Sequence, residues 1–277
     1  LNRHADRLFG GQALAPSVTR PVAPVTPVAS LATVDRAVRA LAAAERPLMV
    51  IGSQALVEAP RAEALAAAVS ALGVPTYLSG MARGLLGRDH PLQMRHERRK
   101  ALRESDCVVL AGVPCDFRLD YGKHVRRQAT LIAANRSAAD ARLNRTPTIT
   151  AVGDASAFLE RLAERTGDRA RRSEWITALR ERDDAREKGI DAQAAAPASV
   201  TAADGGAEAE AGPFVNPVAF FRALERVASP EAVFVADGGD FVATGSYILH
   251  PRAPLTWLDP GVFGTLGVGA GFAAGAL

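Results

Sequence analysis

Cysteine is scarce in this sequence, and long apolar runs are missing from it. Two cysteines among 277 residues cannot hold a fold of this size together, so a disulfide-rich scaffold is excluded. We expect Cys107 and Cys115 to be reduced thiols. No stretch reaches the roughly 18 to 20 uninterrupted apolar residues that a membrane span needs, and the first residues lack the pattern of a secretion signal. These absences predict a cytoplasmic protein with no membrane partner.

A strong excess of one charge is also lacking. The 33 Lys and Arg residues are balanced by 30 Asp and Glu, which leaves a net charge of +3. A nucleic-acid-binding surface needs basic residues that dominate one face of the protein, so we expect no DNA or RNA partner. With 48% hydrophobic and 23% charged residues, the composition is typical of a globular protein that can bury a real core.

Helix and strand patterns alternate between residues 33 and 165. Apolar residues at helical spacing predict helices at 33–45 and 60–72, and a basic helix follows at 95–106. The predicted strands are continuous apolar runs, which is typical of a parallel sheet buried on both faces by helices. We therefore predict the α/β class, with a Rossmann-like parallel-sheet domain. The runs are PLMVIG (47–52), VPTYL (74–78), CVVLAG (107–112), TLIAAN (130–135) and TITAVG (148–153).

Two stretches of linker composition divide the chain. One carries four prolines between residues 16 and 30, and the other, at 191–212, is rich in alanine, glycine and acid. Because the first residue is Leu and the last residues form an apolar pattern without a cap, we expect a piece of a longer protein. The predicted parts are a tail and linker at 1–32, a central domain at 33–165, a helical and low-complexity linker at 166–215, and the start of a second α/β domain at 216–277.

Ligands of open parallel sheets bind beyond the carboxyl ends of the strands. The candidate crevice is therefore rimmed by Gly52 and Ser53, Gly112 and Val113, Asn135 and Arg136, and Gly153 and Asp154. None of these positions has the G-x-G-x-x-G spacing, which weakens the hypothesis of a nicotinamide-dependent dehydrogenase.

The segment AVFVADGGDFVATG (232–245) predicts a buried strand, a turn at Gly238 and Gly239, and then a helix. The first N–H groups of such a helix are unpaired and, with the helix dipole, form an anion site that suits a diphosphate. The alternative is that the glycines only turn the chain, while Asp237 or Asp240 caps the helix.

A second glycine-rich segment runs from Pro260 to Gly271. Gly267, Gly271 and Gly275 fall at helical spacing, so one face of the helix has almost no side chains. Another backbone or a flat ligand can approach such a face closely. The alternative here is tight helix packing alone.

Taken in order, these motifs resemble the thiamine-diphosphate-dependent enzymes, in particular the acetolactate-synthase-like proteins and the 2-hydroxyacyl-CoA lyases. The resemblance implies three domains: one that binds the pyrimidine of the cofactor, a central Rossmann-like domain, and one that binds the diphosphate. This chain would hold the tail of the first, the whole second and the start of the third. The segments that carry the resemblance are 73–91 (GVPTYLSGMARGLLGRDHP), 101–123 (ALRESDCVVLAGVPCDFRLDYGK), 236–245 (ADGGDFVATG) and 257–276 (WLDPGVFGTLGVGAGFAAGA).

The same resemblance assigns roles to residues of the two glycine-rich segments. Gly264 matches the position whose carbonyl accepts a hydrogen bond from the cofactor's 4′-amino group. Leu266 matches the bulky residue that wedges between the two rings, a bend that brings the amino nitrogen next to the C2 proton of the thiazolium. The residues implied to bind thiamine diphosphate are Gly238, Gly239, Asp240 and Phe241 near the diphosphate, and Gly264, Thr265 and Leu266 near the rings.

Two parts of the family's site are not found in this sequence. The family uses a glutamate to protonate the pyrimidine, and a Gly-Asp-Gly motif with a later Asn to hold Mg²⁺. The Asp-Gly-Gly at 237–239 precedes the glycine-rich helix instead of following it. We therefore expect Mg²⁺ ligands and catalytic residues to lie outside this chain, which alone would be inactive.

For the central domain, the resemblance implies FAD in acetolactate synthases and an ADP or CoA moiety in the acyl-CoA lyases. Where the FAD-binding pattern is G-x-R-F-D-D-R, residues 112–118 read GVPCDFR, so Pro114 replaces the arginine and weakens the prediction of FAD. A basic cluster would suit the phosphates of ADP or CoA, although a solvated helix face explains it as well. The cluster comprises Arg95, His96, Arg98, Arg99, Lys100 and Arg103.

The prediction is thus part of a thiamine diphosphate- and Mg²⁺-dependent lyase or transferase that forms or cleaves a C–C bond next to a carbonyl. Its substrate would be a 2-oxoacid, as in acetolactate synthesis, or a 2-hydroxyacyl-CoA, which Pro114 favours slightly. The complete enzyme would be a homodimer or homotetramer. The alternative is a non-catalytic, nucleotide-binding Rossmann-like subunit.

Overall fold

The structure is a computed structural model that describes residues 26–166, 173–197 and 215–276. A parallel six-stranded sheet forms the larger part, with the strand order β3-β2-β1-β4-β5-β6. The predicted α/β class and the parallel sheet are confirmed. The central pair is in register from Pro47 opposite Cys107 to Ile51 opposite Ala111. The strands are β1 Pro47–Ile51, β2 Thr76–Leu78, β3 Gln93–Met94, β4 Cys107–Ala111, β5 Thr130–Asn135 and β6 Ile149–Val152.

Helices cover both faces of this sheet, which is why its strands are apolar throughout. Along β1, Met49 and Ile51 join the core under one layer of helices, while Leu48 and Val50 join the core under the other. The helices α1, α2 and α5 form the first layer, and α3 with the start of α6 forms the second. Their bounds are α1 Leu31–Ala43, α2 Ala62–Leu72, α3 Arg98–Glu104, α4 Ala138–Ala141, α5 Ala155–Thr166 and α6 Ser173–Ala195.

Residues 216–276 form a smaller second part, here called the C-terminal unit. Asn216 caps the first helix: its side chain accepts hydrogen bonds from the N–H groups of Val218 and Ala219, and Pro217 follows it. The two strands of this unit pair in parallel. The elements are α7 Pro217–Val227, β7 Phe234–Val235, α8 Asp240–Ile248, β8 Trp257–Leu258 and α9 Gly269–Ala276.

The long helix α6 joins the two parts. Near its start, Trp175 and Leu179 pack into the core of the sheet. Near its end, Ile190 packs into the apolar core of the C-terminal unit, together with Phe221 and Trp257. The same helix therefore contributes to both cores, and polar residues between these contacts face both parts.

Several boundaries differ from those that the sequence predicts. The basic helix begins at Arg98 rather than 95, because residues 93–94 form the short strand β3, which the apolar pattern misses. Glu97, with φ of 54°, turns the chain between that strand and the helix. Residues 167–172, between α5 and α6, lie outside the described ranges. The predicted linker at 191–212 is wrong at its start, because α6 continues to Ala195; residues 198–214 lie outside the description.

Cys107 and Cys115 are both buried, and no disulfide joins them. Burial raises the pKa of the Cys115 thiol to about 11, so it is protonated and unreactive at neutral pH. In the described ranges, no helix combines the length and the apolar character that crossing a membrane requires.

Gly112, at the end of β4, is a position where only glycine fits. Its φ is +66°, and a Cβ built on it would lie 2.4 Å from the backbone nitrogen of Ala55. We expect Gly112→Ala to lower the free energy of unfolding by about 3 kcal/mol, since it combines left-handed strain with a clash against backbone. Gly73 is the control: its φ is +63°, but a Cβ would meet nothing within 4 Å. Urea unfolding should give about 1 kcal/mol for Gly73→Ala, and equal losses in the two variants would contradict the clash.

Candidate functional site

The two glycine-bearing turns predicted from the sequence lie side by side. A Cβ built on Gly238 would stand 2.7 Å from Cδ2 of Leu266 and 2.8 Å from the carbonyl oxygen of Gly264. On Gly239, whose φ is +90°, it would stand 3.8 Å from the same Leu266 atom. Any side chain at position 238 would collide with the second turn. The residues from the two segments therefore lie side by side.

Gly239 precedes α8, and no side chain among the described residues caps that helix. The alternative in which Asp237 or Asp240 caps it is wrong. The first N–H groups of α8 therefore lack side-chain partners beside the Gly238 turn, where a helix N-terminus favours negative charge. Phe241, in the first turn of α8, has its ring centroid 5.9 Å from that of Phe221.

Asp237 instead binds the second glycine segment. Its carboxylate accepts hydrogen bonds from the N–H groups of Gly267 (2.9 Å), Val268 (3.3 Å) and Gly269 (3.3 Å). A fourth hydrogen bond comes from the N–H of Gly238. These four bonds lower the pKa of the Asp237 carboxyl, and the bond from Gly238 has the largest effect. Asp237 thus connects the end of β7 to the start of α9 and holds the two turns together. The sequence offered one signal for this role, an acid directly before the diglycine.

The side chains at this site are open to solvent in the structure. Leu266 is 71% exposed and Phe241 is 64% exposed, and Thr265 is exposed as well. The two turns together offer backbone N–H donors at the start of α8 and an exposed apolar side chain at Leu266, a combination that suits an elongated ligand with a charged and an aromatic part. No group of three or more His, Cys, Asp or Glu that could hold a metal occurs within the described ranges.

The carboxyl edge of the large sheet is closely packed at its centre. Gly52 and Gly112 follow the neighbouring strands β1 and β4, and a Cβ on Gly52 would lie 2.6 Å from the Gly112 carbonyl oxygen. Further along the edge, Arg136 pairs with Asp154 at 2.8 Å. Asn135 is fully buried at the end of β5, and neither polar atom of its amide has a partner in the described residues. The predicted crevice residues do share one edge, but glycine packing fills its middle.

In the stretch that aligns with the FAD-binding pattern, the two charged side chains bind each other. Arg118 is bound by Asp116, with Nη2 and Oδ2 2.6 Å apart, and the same carboxylate accepts the Arg118 N–H. Val113 and Cys115 are buried. Arg118 is therefore already neutralised, and Pro114 offers neither a charge nor a donor.

The basic cluster divides into two parts: Arg99, Lys100 and Arg103 are exposed on the helix, as the alternative of a solvated face predicts, whereas Arg95, His96 and Arg98 are buried or half-buried. His96 is buried and lies 2.7 Å from Glu187 of α6. Arg103 donates to Nδ1 of His124, and Arg99 pairs with Asp120. Only Arg95, Arg98 and Arg99 line a common cleft, next to the C-terminal unit, and there they meet Arg83, which the sequence did not single out.

Comparison with known proteins identifies residues 34–162 with the family model described as "Thiamine pyrophosphate enzyme, central domain". The curated protein named 2-hydroxyacyl-CoA lyase 2 from Homo sapiens is 42% identical over 280 residues, which cover 100% of this chain and 42% of the relative. A protein named probable acetolactate synthase from Mycobacterium bovis is 31% identical over 250 residues, which cover 88% of this chain and 41% of the relative.

A solved structure described as a putative thiamin diphosphate-dependent enzyme from Mycobacterium smegmatis has a similar fold. Its TM-score is 0.63 at 18% sequence identity, and the match covers 95% of this chain and 47% of the other. At that identity the likeness is one of fold. The chain thus spans less than half the length of the relatives that it matches.

Proposed function

Residues 34–162 belong to the family of thiamine pyrophosphate enzyme central domains, and from this premise we propose that the chain is part of a thiamine diphosphate- and Mg²⁺-dependent enzyme. The enzyme forms or cleaves a C–C bond next to a carbonyl. The relatives carry the names of a lyase and a synthase, which favours an enzyme over a non-catalytic nucleotide-binding subunit. Mg²⁺, a homo-oligomeric state and a cytoplasmic location belong to the proposal through the family resemblance.

One observation outside the family domain carries the proposal: the two glycine-bearing turns converge. They come from segments about 25 residues apart in the chain, yet Gly238 lies against Leu266 and Gly264. A turn that only reverses the chain does not need a second turn beside it. The absence of a side chain at 238 lets the two turns approach this closely, and the uncapped start of α8 places N–H donors beside them.

The residues of the two turns fit thiamine diphosphate. The first N–H groups of α8 and the Gly238–Gly239 turn would hold the diphosphate, with the carboxylate of Asp237 already occupied by α9. The Gly264 carbonyl would accept a hydrogen bond from the 4′-amino group, and Leu266 would support the bend between the rings. When bound, the cofactor supplies a stabilised carbanion. The chain's own residues supply shape, hydrogen bonds and exclusion of water.

For the substrate we propose a 2-hydroxyacyl-CoA, which the enzyme cleaves. Pro114 in place of the FAD-binding arginine supports this choice, as does the pairing of Arg118 with Asp116. Greater identity to relatives named lyase (42%) than to one named acetolactate synthase (31%) points the same way. Carboligation of 2-oxoacids is the second candidate.

Calorimetric titration of the complete protein with thiamine diphosphate, with and without Mg²⁺, tests the proposal. We expect binding that requires the metal, and at least a tenfold loss of affinity in Gly238→Ala, because the added Cβ would push the two turns apart. Gly189→Ala is the control, since a Cβ there lies 3.6 Å from its nearest neighbour, in ordinary contact. Absence of binding by the wild type, or unchanged affinity in Gly238→Ala, would contradict the proposed site.

A further inference from the structure

Residues 260–268, here called the Leu266 loop, carry Gly264 and Leu266 and have little packing around them. Phe263, for example, is 87% exposed. Three glycines of the loop have positive φ, between 56° and 86°, and a Cβ on any of them would meet no atom within 4 Å. They are Gly261, Gly264 and Gly267. Packing alone therefore does not hold this backbone in one conformation, because glycine adopts many.

Two carboxylates accept hydrogen bonds from the backbone at the two ends of the loop. At its start, Oδ1 of Asp259 accepts the N–H of Gly261 at 2.9 Å. At its end, the carboxylate of Asp237 accepts the N–H groups of residues 267–269 at 2.9 to 3.3 Å. Among the described residues, no other side chain accepts a hydrogen bond from the backbone of residues 260–269. The conformation of the loop therefore depends on these two acids.

The small parallel sheet places both carboxylates. Strands β7 and β8 pair with Phe234 opposite Trp257, so their carboxyl ends lie at the same edge. Asp259 directly follows β8, and Asp237 stands two residues after the end of β7. Side chains attached to regular elements are held more precisely than side chains on free loops. The sheet thus provides a fixed base for both ends of the Leu266 loop.

Asp259 is held in one orientation by groups that do not belong to the loop. The residue is 8% exposed, and its Oδ2 accepts a hydrogen bond from the indole Nε1 of Trp257 at 2.8 Å. Arg83 of the central domain lies 3.7 Å from the same oxygen, and its guanidinium carbon lies 5.6 Å from the centroid of the Trp257 ring. Oδ2 is therefore engaged by the surrounding structure, and Oδ1 is left for the Gly261 N–H.

Asp237 is exposed, so water alone would be enough to solvate its carboxylate. Both of its oxygens nevertheless accept N–H groups at the start of α9, where the helix dipole favours negative charge. Hydrogen bonds from N–H groups to a carboxylate are about twice as strong as those between neutral groups. A Cβ on Gly269 would lie only 3.2 Å from Oδ2 of Asp237. The close contact thus depends on the acid at 237 and on the small residue at 269.

We propose that Asp237 and Asp259 are positioning residues, which hold the Leu266 loop in the conformation that the bent cofactor requires. This inference rests on the proposed function, which assigns thiamine diphosphate to the two turns. Each carboxylate acts through the loop, since Leu266 directly precedes the first N–H that Asp237 accepts. A misplacement of about 1 Å costs on the order of 10²-fold in rate. Release of either end of the loop should therefore slow the chemistry.

Asp237→Asn in the complete protein tests one end of the loop. The amide keeps the shape of the carboxylate, but it offers one acceptor oxygen and turns an NH₂ donor toward the N–H groups of residues 267–269. With thiamine diphosphate and Mg²⁺ at saturation, we expect exchange of the C2 proton to slow by about tenfold or more, and the affinity for the cofactor to fall by a smaller factor. Asp237→Glu keeps the charge and should restore part of the exchange rate. Asp259→Asn should slow C2 exchange in the same way.

Amide hydrogen exchange without cofactor, followed by mass spectrometry, measures the hold on the loop itself. Peptides that cover residues 260–269 should exchange about fivefold faster or more in Asp237→Asn than in the wild type, because the N–H groups lose their acceptor. Asp184→Asn is the matched control: Asp184 is exposed, and it has no partner among the described hydrogen bonds and ion pairs. Both of its exchange rates should stay within about twofold of the wild type.

The outcomes separate this inference from the proposed function. Absence of thiamine diphosphate binding by the wild type would overturn both. If the wild type binds the cofactor, normal C2 exchange in both Asp237→Asn and Asp259→Asn would overturn the inference alone. Unchanged amide exchange at residues 260–269 in Asp237→Asn, or an equal effect of Asp184→Asn, would overturn it as well. Should thermal unfolding show that Asp259→Asn does not fold, Asp237→Asn decides the test, because its side chain is exposed.

Discussion

Replacing Leu266 with alanine in the complete protein should slow exchange of the cofactor's C2 proton by about 10²-fold or more. Leu266 lies beside Gly238, and in the proposed function a side chain of this size would keep the two rings of the cofactor bent toward each other. That bend would place the amino nitrogen of the cofactor, as the base, beside the C2 proton, and a positioned base contributes roughly 10²–10⁴-fold. Affinity should change much less, since the diphosphate end of the site is untouched.

The measurement is hydrogen–deuterium exchange at C2, followed by NMR on the protein saturated with thiamine diphosphate and Mg²⁺. Leu266→Met is the control, because it keeps the volume and apolar character of the side chain, and its exchange rate should remain within a few-fold of the wild type. An exchange rate in Leu266→Ala equal to that of the wild type would remove Leu266 from its proposed role. A large loss of affinity with normal exchange would show that Leu266 binds the cofactor without shaping it.

The sequence predicts the sheet well because its signals are local. Each of the apolar runs at 47–52, 107–112 and 130–135 became a strand within a residue of its predicted bounds. Runs of this kind are long enough to be recognised without their partners. Strand β3 has only two residues, Gln93 and Met94, and the basic residues that follow conceal it. Its place at the edge of the sheet depends on pairing with β2, which no local pattern records.

The residues of the candidate site were predictable for a different reason. Gly238, Gly264 and Leu266 stand in motifs whose order is specific, so the resemblance to the family predicts that they belong to one site. The role of Asp237 depends on the N–H groups of residues 267–269, thirty positions away, and needed coordinates. The same is true of Arg83, which faces Arg95 and Arg98 only because the chain returns to the same cleft.

The charged cluster around Glu187 and Glu225 could not be predicted from the sequence either. Glu187 of α6 binds His96 of the central domain and Arg222 of α7. Glu225 of α7 pairs with Arg252 at 2.5 Å and accepts the N–H of His250. Glu187 therefore links α6 to both parts of the molecule, whereas the contacts of Glu225 with Arg252 and His250 hold elements of the C-terminal unit together.

Glu225→Gln should therefore destabilise the protein strongly, by about 3 kcal/mol in the free energy of unfolding at pH 7. Glu225 and Arg252 are both buried, with side chains 5% and 8% exposed. Removal of one charge leaves the other buried and uncompensated, which costs about 3–5 kcal/mol. Urea unfolding followed by tryptophan fluorescence measures the loss. Glu231→Gln is the control, because Glu231 is exposed and contacts only Ser229 among the described hydrogen bonds and ion pairs; its effect should stay within about 0.5 kcal/mol.

The pH dependence of this difference separates a charge effect from a packing effect. Burial of Glu225 opposes its ionisation, but hydrogen bonds from His250 and Arg252 outweigh burial and lower its pKa to about 2. In the unfolded chain the pKa of a glutamate is about 4.3. A depressed pKa stabilises the folded state above the unfolded value, and the stabilisation is lost as the pH falls. The difference in the free energy of unfolding between wild type and Glu225→Gln should thus be constant from pH 7 to about 5 and become smaller from there toward pH 2. A difference that stays constant down to pH 2 would mean that the charge of the carboxylate does not stabilise the folded protein.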